Sequence, residues 1–287
     1  MLAAPVKAGI AAATWSWQSV RQFVVRHAGK RLSPRSCVRY LHRLGFVWKC
    51  PKRQLLKANP AKRTAFVELY RTVVEAAAAR GARIFFADEA HFRADGDLHG
   101  LWVLRGADAL VASTSPRYGE KASYYAAVCL ETGEVCAAQV DGTTTAETSV
   151  AFLRGLRADF AGDLIVIWDN GPAHHGDAMR TYLQTPDLHL RLIALPAYSP
   201  DYNPAEAIWQ WIRAEVTANT CFGTAASVAA AVTQFLAGLG DRTEEGKQRC
   251  RSELQTAAFP ETSRHPERRE PRLEQRRNRA LQAALPM

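Results

Sequence analysis

Three apolar runs in this chain each lead to an acid. Ala82-Arg-Ile-Phe-Phe-Ala87 hands over to Asp88 and Glu89, and Leu164-Ile-Val-Ile-Trp168 hands over to Asp169. Leu190-Arg-Leu-Ile-Ala-Leu195 passes through a Pro/Ser/Asn loop to Glu206. Short apolar, β-branched runs that stop at turn residues read as buried strands. Asn203-Pro204 reads as the N-cap and first position of a helix over 205–216, which places Glu206 in its first turn. Strands are expected near 83–88, 101–104, 123–130, 134–140, 164–169 and 189–194, with Glu131-Thr-Gly133-Glu as a hairpin turn. Helices are expected near 63–80, 145–158 and 176–184. Antiparallel strands followed by strand-helix alternation predict an α/β fold, a mixed sheet flanked by helices.

Helical periodicity governs the N-terminal part instead. Trp15 to His27 reads as a short amphipathic helix; Gly29 and the Ser33-Pro34 start signal introduce a second over Arg35–Leu44, closed by Gly45. Val38, Leu41 and Leu44 recur at helical spacing as its anchoring face, leaving Arg35, Ser36, Arg39, His42 and Arg43 on other faces. A basic second helix of this kind is how a helix-turn-helix unit meets DNA. At the other end, residues 259–287 are rich in Arg, Glu and Pro, and are expected to be disordered or a frayed helix.

Charge follows the same division. The chain carries a net +9, yet residues 1–63 hold fourteen Lys/Arg and no acid, and residues 242–287 hold eleven Lys/Arg against seven acids. Residues 64–241 therefore carry −9. An acidic body gathers cations while a basic arm neutralises phosphates and releases counterions, a combination suited to a metal-dependent nuclease tethered to DNA. A solvated charge run is the simpler account of the basic tail. With 287 residues, 47% of them hydrophobic, the chain can hold one sizeable core and a small appended domain. Its apolar runs are too short for a membrane span, and a cytoplasmic, nucleoid-associated location is expected. The six cysteines are scattered without a Cys-x-x-Cys pair, which argues for reduced thiols rather than zinc or disulfides.

The three acids at element ends define the candidate chemistry. A buried carboxylate costs several kcal/mol unless it is paired or binds a cation. Magnesium or manganese favours carboxylate and water oxygens, and two such ions can stabilise the attacking and leaving oxygens of an in-line phosphoryl displacement. No nucleophilic side chain is then required. Glu206 has a simpler reading of its own, as a helix-start acid worth about 0.3–1 kcal/mol against the helix dipole. Glu89 adjoins Asp88, but consecutive strand residues face opposite ways. His174 and His175 could touch phosphate or the outer shell of a metal; imidazole suits zinc better than magnesium, so neither is counted as a ligand. Asn170 and Asn203 read as turn and cap residues, Asp201 as a turn acid, and Trp209, Trp211 and Ile212 as core.

Three segments, Phe86-Ala-Asp88-Glu-Ala-His-Phe92, Trp168-Asp169-Asn-Gly-Pro-Ala-His174 and Leu195-Pro-Ala-Tyr-Ser-Pro-Asp-Tyr-Asn-Pro-Ala-Glu206-Ala-Ile-Trp209, resemble the catalytic domain of DDE transposases. The match is to the mariner-like superfamily, specifically the bacterial insertion-sequence six-thirty group. The resemblance implies an RNase H-like fold in which Asp88, Asp169 and Glu206 hold two Mg²⁺ or Mn²⁺ ions. It also implies metal-dependent cleavage of DNA at element ends, strand transfer into target DNA at a TA dinucleotide, and a dimer or larger assembly on double-stranded DNA carrying terminal inverted repeats. Residues 1–62 would be a helix-turn-helix, winged-helix-like domain with basic linker, 63–240 the catalytic domain and 241–287 the tail. Lys49, Lys52 and Arg53 join Arg35, Ser36, Arg39, His42 and Arg43 as expected DNA contacts. Members of this group usually carry two DNA-binding subdomains, and one is expected here, so an N-terminally truncated or binding-only remnant is the alternative. A different RNase H-like nuclease, acting on RNA·DNA hybrids or Holliday junctions, would share the acids without needing the basic unit.

Overall fold

A computed structural model describes residues 4–48, 57–104, 106–114 and 120–260, and the chain divides into two units, Met1–Gln54 and Leu55–Met287. In the first unit, α1 (Trp17–Ala28) opens on a Ser16/Ser19 capping box and closes on Gly29 in the left-handed conformation. Helix α2 (Pro34–Arg43) follows, with the Ser33 hydroxyl accepting from the Ser36 amide at 3.1 Å. Its packed face differs from the expected one. Cys37 is fully buried and Leu41 half-buried, whereas Val38 and Leu44 are exposed. Cys37 and Leu41 are four residues apart and stack on one face; Val38 lies a step further round the helix.

The second unit begins with α3 (Pro60–Arg80), capped by Asn59, so the expected domain boundary at residue 62 falls inside a helix. Five strands form its sheet: β1 (Arg83–Arg93), β2 (Lys121–Cys129), β3 (Val135–Val140), β4 (Leu164–Trp168) and β5 (Leu190–Ala194), in the order β3-β2-β1-β4-β5. The first three pair antiparallel, and β1, β4 and β5 pair parallel. The β2–β3 turn requires a glycine: Gly133 has φ 76°, and a Cβ there would lie 2.2 Å from the Thr243 carbonyl oxygen.

Alternation along the strands splits the core into two layers. Phe86, Ala90, Phe92, Tyr124 and Val128 face one way, against α3, α6 (Glu206–Ile212), α7 (Ala225–Ala237) and α9 (Glu253–Ala258). Phe85, Ala87, Tyr125, Ala127 and Trp168 face the other, against α4 (Ala146–Asp159) and α5 (Asp177–Leu183). This is the mixed, helix-flanked sheet that the hydrophobic pattern predicts.

One expectation is corrected and another narrowed. Residues 101–104 form no strand, and Leu101, Trp102, Val103 and Leu104 are exposed. The hairpin pairs directly from Phe85↔Cys129 to Arg93↔Lys121, so 94–120 is its connecting loop, and a strand-like composition without a free partner forms no ladder. The tail expected from residue 241, disordered or partly helical, is helical and packed over its first part. The chain continues through α8 (Thr243–Arg249) and α9, burying Cys250, Leu254 and Ala258 in the α3-side layer. The local run of charge conceals those three apolar anchors. Residues 261–287 lie outside the described ones.

Candidate active site

The parallel ladder between β1 and β4 ends at Phe86↔Ile167. Two residues beyond that rung stand Asp88, within β1, and Asp169, just past the end of β4, so the pairing itself directs the first two acids to one edge of the sheet. The third arrives on the opening residue of α6, Glu206. Asp88, Asp169 and Glu206 line one cavity of about 440 Å³. A larger cavity of about 550 Å³ lies between β3 and α4, lined mainly by apolar side chains and none of these acids. The three candidate acids thus gather in the smaller one.

Each acid has a distinct environment. Asp88 shares a face with Phe86 and Ala90, and its Oδ2 accepts from the Trp209 indole Nε1 at 3.0 Å. Burial first, then the like charges of Glu89, Glu206 and Asp169, push its carboxyl up to about 8. Asp169 goes the other way: a hydrogen bond from His174 holds it below the usual carboxylate range against the opposing effect of desolvation, helped by the Gly171 amide at 2.9 Å from Oδ1. Glu206 is raised by desolvation and by Asp201, with Arg213 opposing. Carboxylates pushed apart in this way within one cavity are a mark of a functional site. The lining offers carboxylate oxygens and neither imidazole nor thiolate, a donor set that suits a hard divalent cation.

The loop between β5 and α6 is stitched to the sheet from both sides. Asn170 Nδ2 donates to the Leu195 carbonyl at 3.0 Å, tying the end of β4 to the end of β5. Asn203 Nδ2 donates to the Ala87 carbonyl at 3.0 Å, while its Oδ1 accepts from the Ala205 amide at 3.2 Å. Asn203 is therefore a tether between loop and sheet and not the expected N-cap: α6 is preceded by Ala205, and no side chain caps it. The helix proper starts at Glu206, one residue later than expected, because 200–205 is spent in tight turns. Asp201 takes the expected role of an acid held in a turn; it forms a two-point ion pair with Arg63, whose guanidinium lies 3.9 Å over the Tyr202 ring. Tyr198 lines the cavity with φ 59°, backbone that a bulky residue rarely adopts. Trp209, Trp211 and Ile212 are buried as expected, and the Trp209 bond to Asp88 is a role that helical spacing does not reveal.

Glu89 faces the opposite layer, as strand alternation requires, and pairs across from Tyr125. There it meets His174 Nε2 at 3.3 Å, which also lies 3.2 Å from Asp169 Oδ1. Burial disfavours charge on His174, but these two acids outweigh it and its pKa is raised. His175 makes no such contact among the described residues.

In the N-terminal unit, Arg35, Arg39 and Arg43 are exposed on α2. Ser36 is engaged in the helix cap, its hydroxyl 3.0 Å from Ser33 Oγ, and His42 Nδ1 lies 3.1 Å from the Phe46 carbonyl. Lys49, Lys52 and Arg53 fall outside the described residues.

Comparison with known proteins agrees with this geometry. Residues 83–228, half of the chain and spanning all three acids, match the family described as DDE superfamily endonuclease. The chain belongs to the DDE superfamily endonucleases. Residues 11–70 match a winged helix-turn helix. A curated relative, the insertion element IS630 uncharacterized 39 kDa protein of Shigella sonnei, is 24% identical over 208 residues. That match covers 71% of this chain and 59% of the relative, so the chain spans less than two thirds of the relative's length. Among solved structures, the Mos1 transposase paired-end complex with left transposon end aligns with TM-score 0.60 at 17% identity, covering 86% of this chain and 78% of that one. The Mos1 strand transfer complex aligns with TM-score 0.58 at 16% identity, covering 88% and 79%. These likenesses show a shared fold, that of an RNase H-like DDE domain behind a helix-turn-helix. No described helix is long and apolar enough to cross a membrane.

Proposed function

We propose that this DDE endonuclease is a transposase, which cuts a DNA strand at the ends of an insertion sequence and joins the freed 3′ hydroxyl to target DNA. The observation that carries the reading is the convergence of Asp88, Asp169 and Glu206 on one cavity, with the Asp88 carboxyl pushed up to about 8 among like charges. Such a cluster is costly alone and is relieved by a bound cation. The three acids would hold two Mg²⁺ or Mn²⁺ ions; Mos1 paired-end complexes with Mg and with Mn share this fold. Bound there, divalent ions polarise a phosphate and lower the pKa of a water or hydroxyl nucleophile.

The chain's own work is to fix the acids and keep the cavity open. Trp209 holds Asp88, the Gly171 amide and His174 hold Asp169, and the first turn of α6 presents Glu206. Asn203 ties the loop that carries Glu206 to the strand that carries Asp88. This positioning, not a general-base histidine, carries the rate. The substrate is double-stranded DNA with terminal inverted repeats, the target a TA dinucleotide, and the active assembly a dimer or larger on paired ends, within the bacterial nucleoid. Arg35, Arg39 and Arg43 of the N-terminal unit contact DNA; Ser36 and His42 support that helix as much as they offer contacts. A binding-only remnant is the weaker reading, because the acids and their supporting hydrogen bonds are all in place.

The test is nicking of a labelled duplex carrying the element's own end, with Mg²⁺ or Mn²⁺, by the native chain and by Asp169→Ala. Metal-dependent nicking lost in the variant supports the transposase, and binding without cleavage by the native chain overturns it. An RNA·DNA hybrid run alongside must be the poorer substrate.

A further inference from the structure

His174 stands out because it is a buried polar side chain that touches two acids while lining no part of the catalytic cavity. It is 3% exposed, in the short turn Pro172–His174 that follows Asp169. Its ring stacks on Trp168 with centroids 3.9 Å apart and planes at 30°, which fixes where both nitrogens point. One nitrogen, Nε2, lies 3.2 Å from Asp169 Oδ1 and 3.3 Å from Glu89 Oε2. The other, Nδ1, lies 3.4 Å from Ser149 Oγ. Ser149 is fully buried on α4 and is met in turn by the Tyr125 hydroxyl at 3.0 Å from the centre of the sheet.

This chain of contacts holds the ring from behind. The Tyr125 and Ser149 hydroxyls can each donate or accept, so Ser149 can meet Nδ1 of the neutral or of the protonated ring, and in both forms Nε2–H faces the carboxylates. Supporting groups that fix the tautomer and aim of a ligand's partner are as much part of a metal site as the ligands. Asp169 needs such help because it lies past the last strand pair, where the ladder no longer holds it. The Gly171 amide supplies one anchor, from its own turn. His174 supplies the other, from the turn that follows, itself tied to α4 through Ser149. The same Nε2 also meets Glu89, which strand alternation already places on the far face of β1.

We propose that His174 is a positioning residue, which aims the Asp169 carboxylate into the cavity, and that Ser149 and Tyr125 set its orientation. The role rests on the reading of Asp88, Asp169 and Glu206 as a divalent-cation site. Losing such an outer support costs about 10–100-fold in metal affinity or activity.

The experiment measures Mn²⁺ binding to the full chain without DNA, from the electron paramagnetic resonance signal of the free ion, for native protein, His174→Ala, His174→Gln and Ser149→Ala. Thermal melting of each in EDTA checks folding. His174→Ala is expected to bind Mn²⁺ about 10–100-fold more weakly. His174→Gln, whose amide N–H can take the place of Nε2–H, is expected to recover most of the loss, and Ser149→Ala to fall between native and His174→Ala. The Mn²⁺ concentration for half-maximal nicking should shift in the same order. Equal loss in His174→Ala and His174→Gln overturns the proposal, since it would make the imidazole itself a ligand. Native affinity in a folded His174→Ala also overturns it, and unchanged affinity in Ser149→Ala overturns the orienting relay should His174→Ala fail to fold. No Mn²⁺ binding by the native chain would instead sink the metal-site reading, and this role with it.

Discussion

At the scale of single residues, Asp88 is the group on which the most depends. Its carboxyl, at about 8 in the folded chain against 3.8 for a free one, keeps a proton that the unfolded chain has released. Across that interval the folded state binds more protons, so the free energy of unfolding falls as pH rises. Metal-free protein is therefore expected to lose stability steadily from weakly acidic pH up to about 8, and Asp88→Asn to flatten that slope; urea unfolding in EDTA at a series of pH values reads both. A pH-independent native chain would contradict the environment described for Asp88. Cation binding has to displace the same proton, so affinity for Mg²⁺ should climb with pH over this interval. Trp209→Phe keeps an aromatic ring, though a smaller one whose packing loss is independent of pH, and removes the donor to Asp88. Losing a hydrogen bond to a charged group costs about 1.5–3 kcal/mol. The loss should show in metal-free protein at pH above 8, where Asp88 is ionised, and shrink at low pH where it is neutral.

Among the elements, the β5–α6 loop decides whether Glu206 reaches the acids on β1 and β4. Two side chains hold it, in different surroundings. Asn203 is buried, and Asn203→Ala would leave the Ala87 carbonyl without its donor, a cost of about 1–3 kcal/mol. Arg63 and Asp201 are partly exposed, so Arg63→Ala is expected to cost less, about 1 kcal/mol or below. Denaturation midpoints should rank Asn203→Ala as the more damaging, with a larger fall in nicking; the reverse order would mean that the ion pair holds the loop. The elements themselves were largely legible, because strands buried on one or both faces and helices with Ser, Thr or Asn caps write their period into the chain. Asp169 stands where a strand ends, as its apolar run suggests; Asp88 follows an apolar run but sits in mid-strand, since β1 runs on to Arg93 where a strand over 83–88 is expected, and Glu206 lies beyond a loop at a helix start. What was hidden depends on contacts between distant residues. The non-strand at 101–104 is set by pairing of β1 with β2, the packed 241–258 by three apolar residues among charges, and the face of α2 by a cysteine. Asn203 and Trp209 act on groups 116 and 121 residues away, and no local pattern marks that; His174 was visible as a candidate for the outer shell of a metal, and only its contact with Glu89 was hidden.

For the whole molecule, the separation of charge ties the two halves of the proposed activity together. Residues 1–63 carry no acid, whereas 64–241 carry −9, so on the proposed reading DNA affinity and cation affinity belong to different parts of one chain. Affinity for DNA should then be dominated by counterion release, falling with salt at a logarithmic slope of about −0.9 per phosphate neutralised. Arg35, Arg39 and Arg43 are exposed on α2. Replacing any one of them by Ala is expected to flatten the slope by about 1 if it meets a phosphate, and to weaken binding to all sequences alike. A residue that instead reads a base edge would leave the slope nearly unchanged and relax sequence preference by about 1–3 kcal/mol at one position. Fluorescence anisotropy over a salt series, with the element end and an unrelated duplex, separates these cases. Asp169→Ala should keep its salt-dependent binding while losing cleavage, since it removes charge from the acidic body and not from the arm. If that variant lost DNA binding instead, the acidic cavity would be acting in DNA recognition, and the division of labour drawn from the charge pattern would fail.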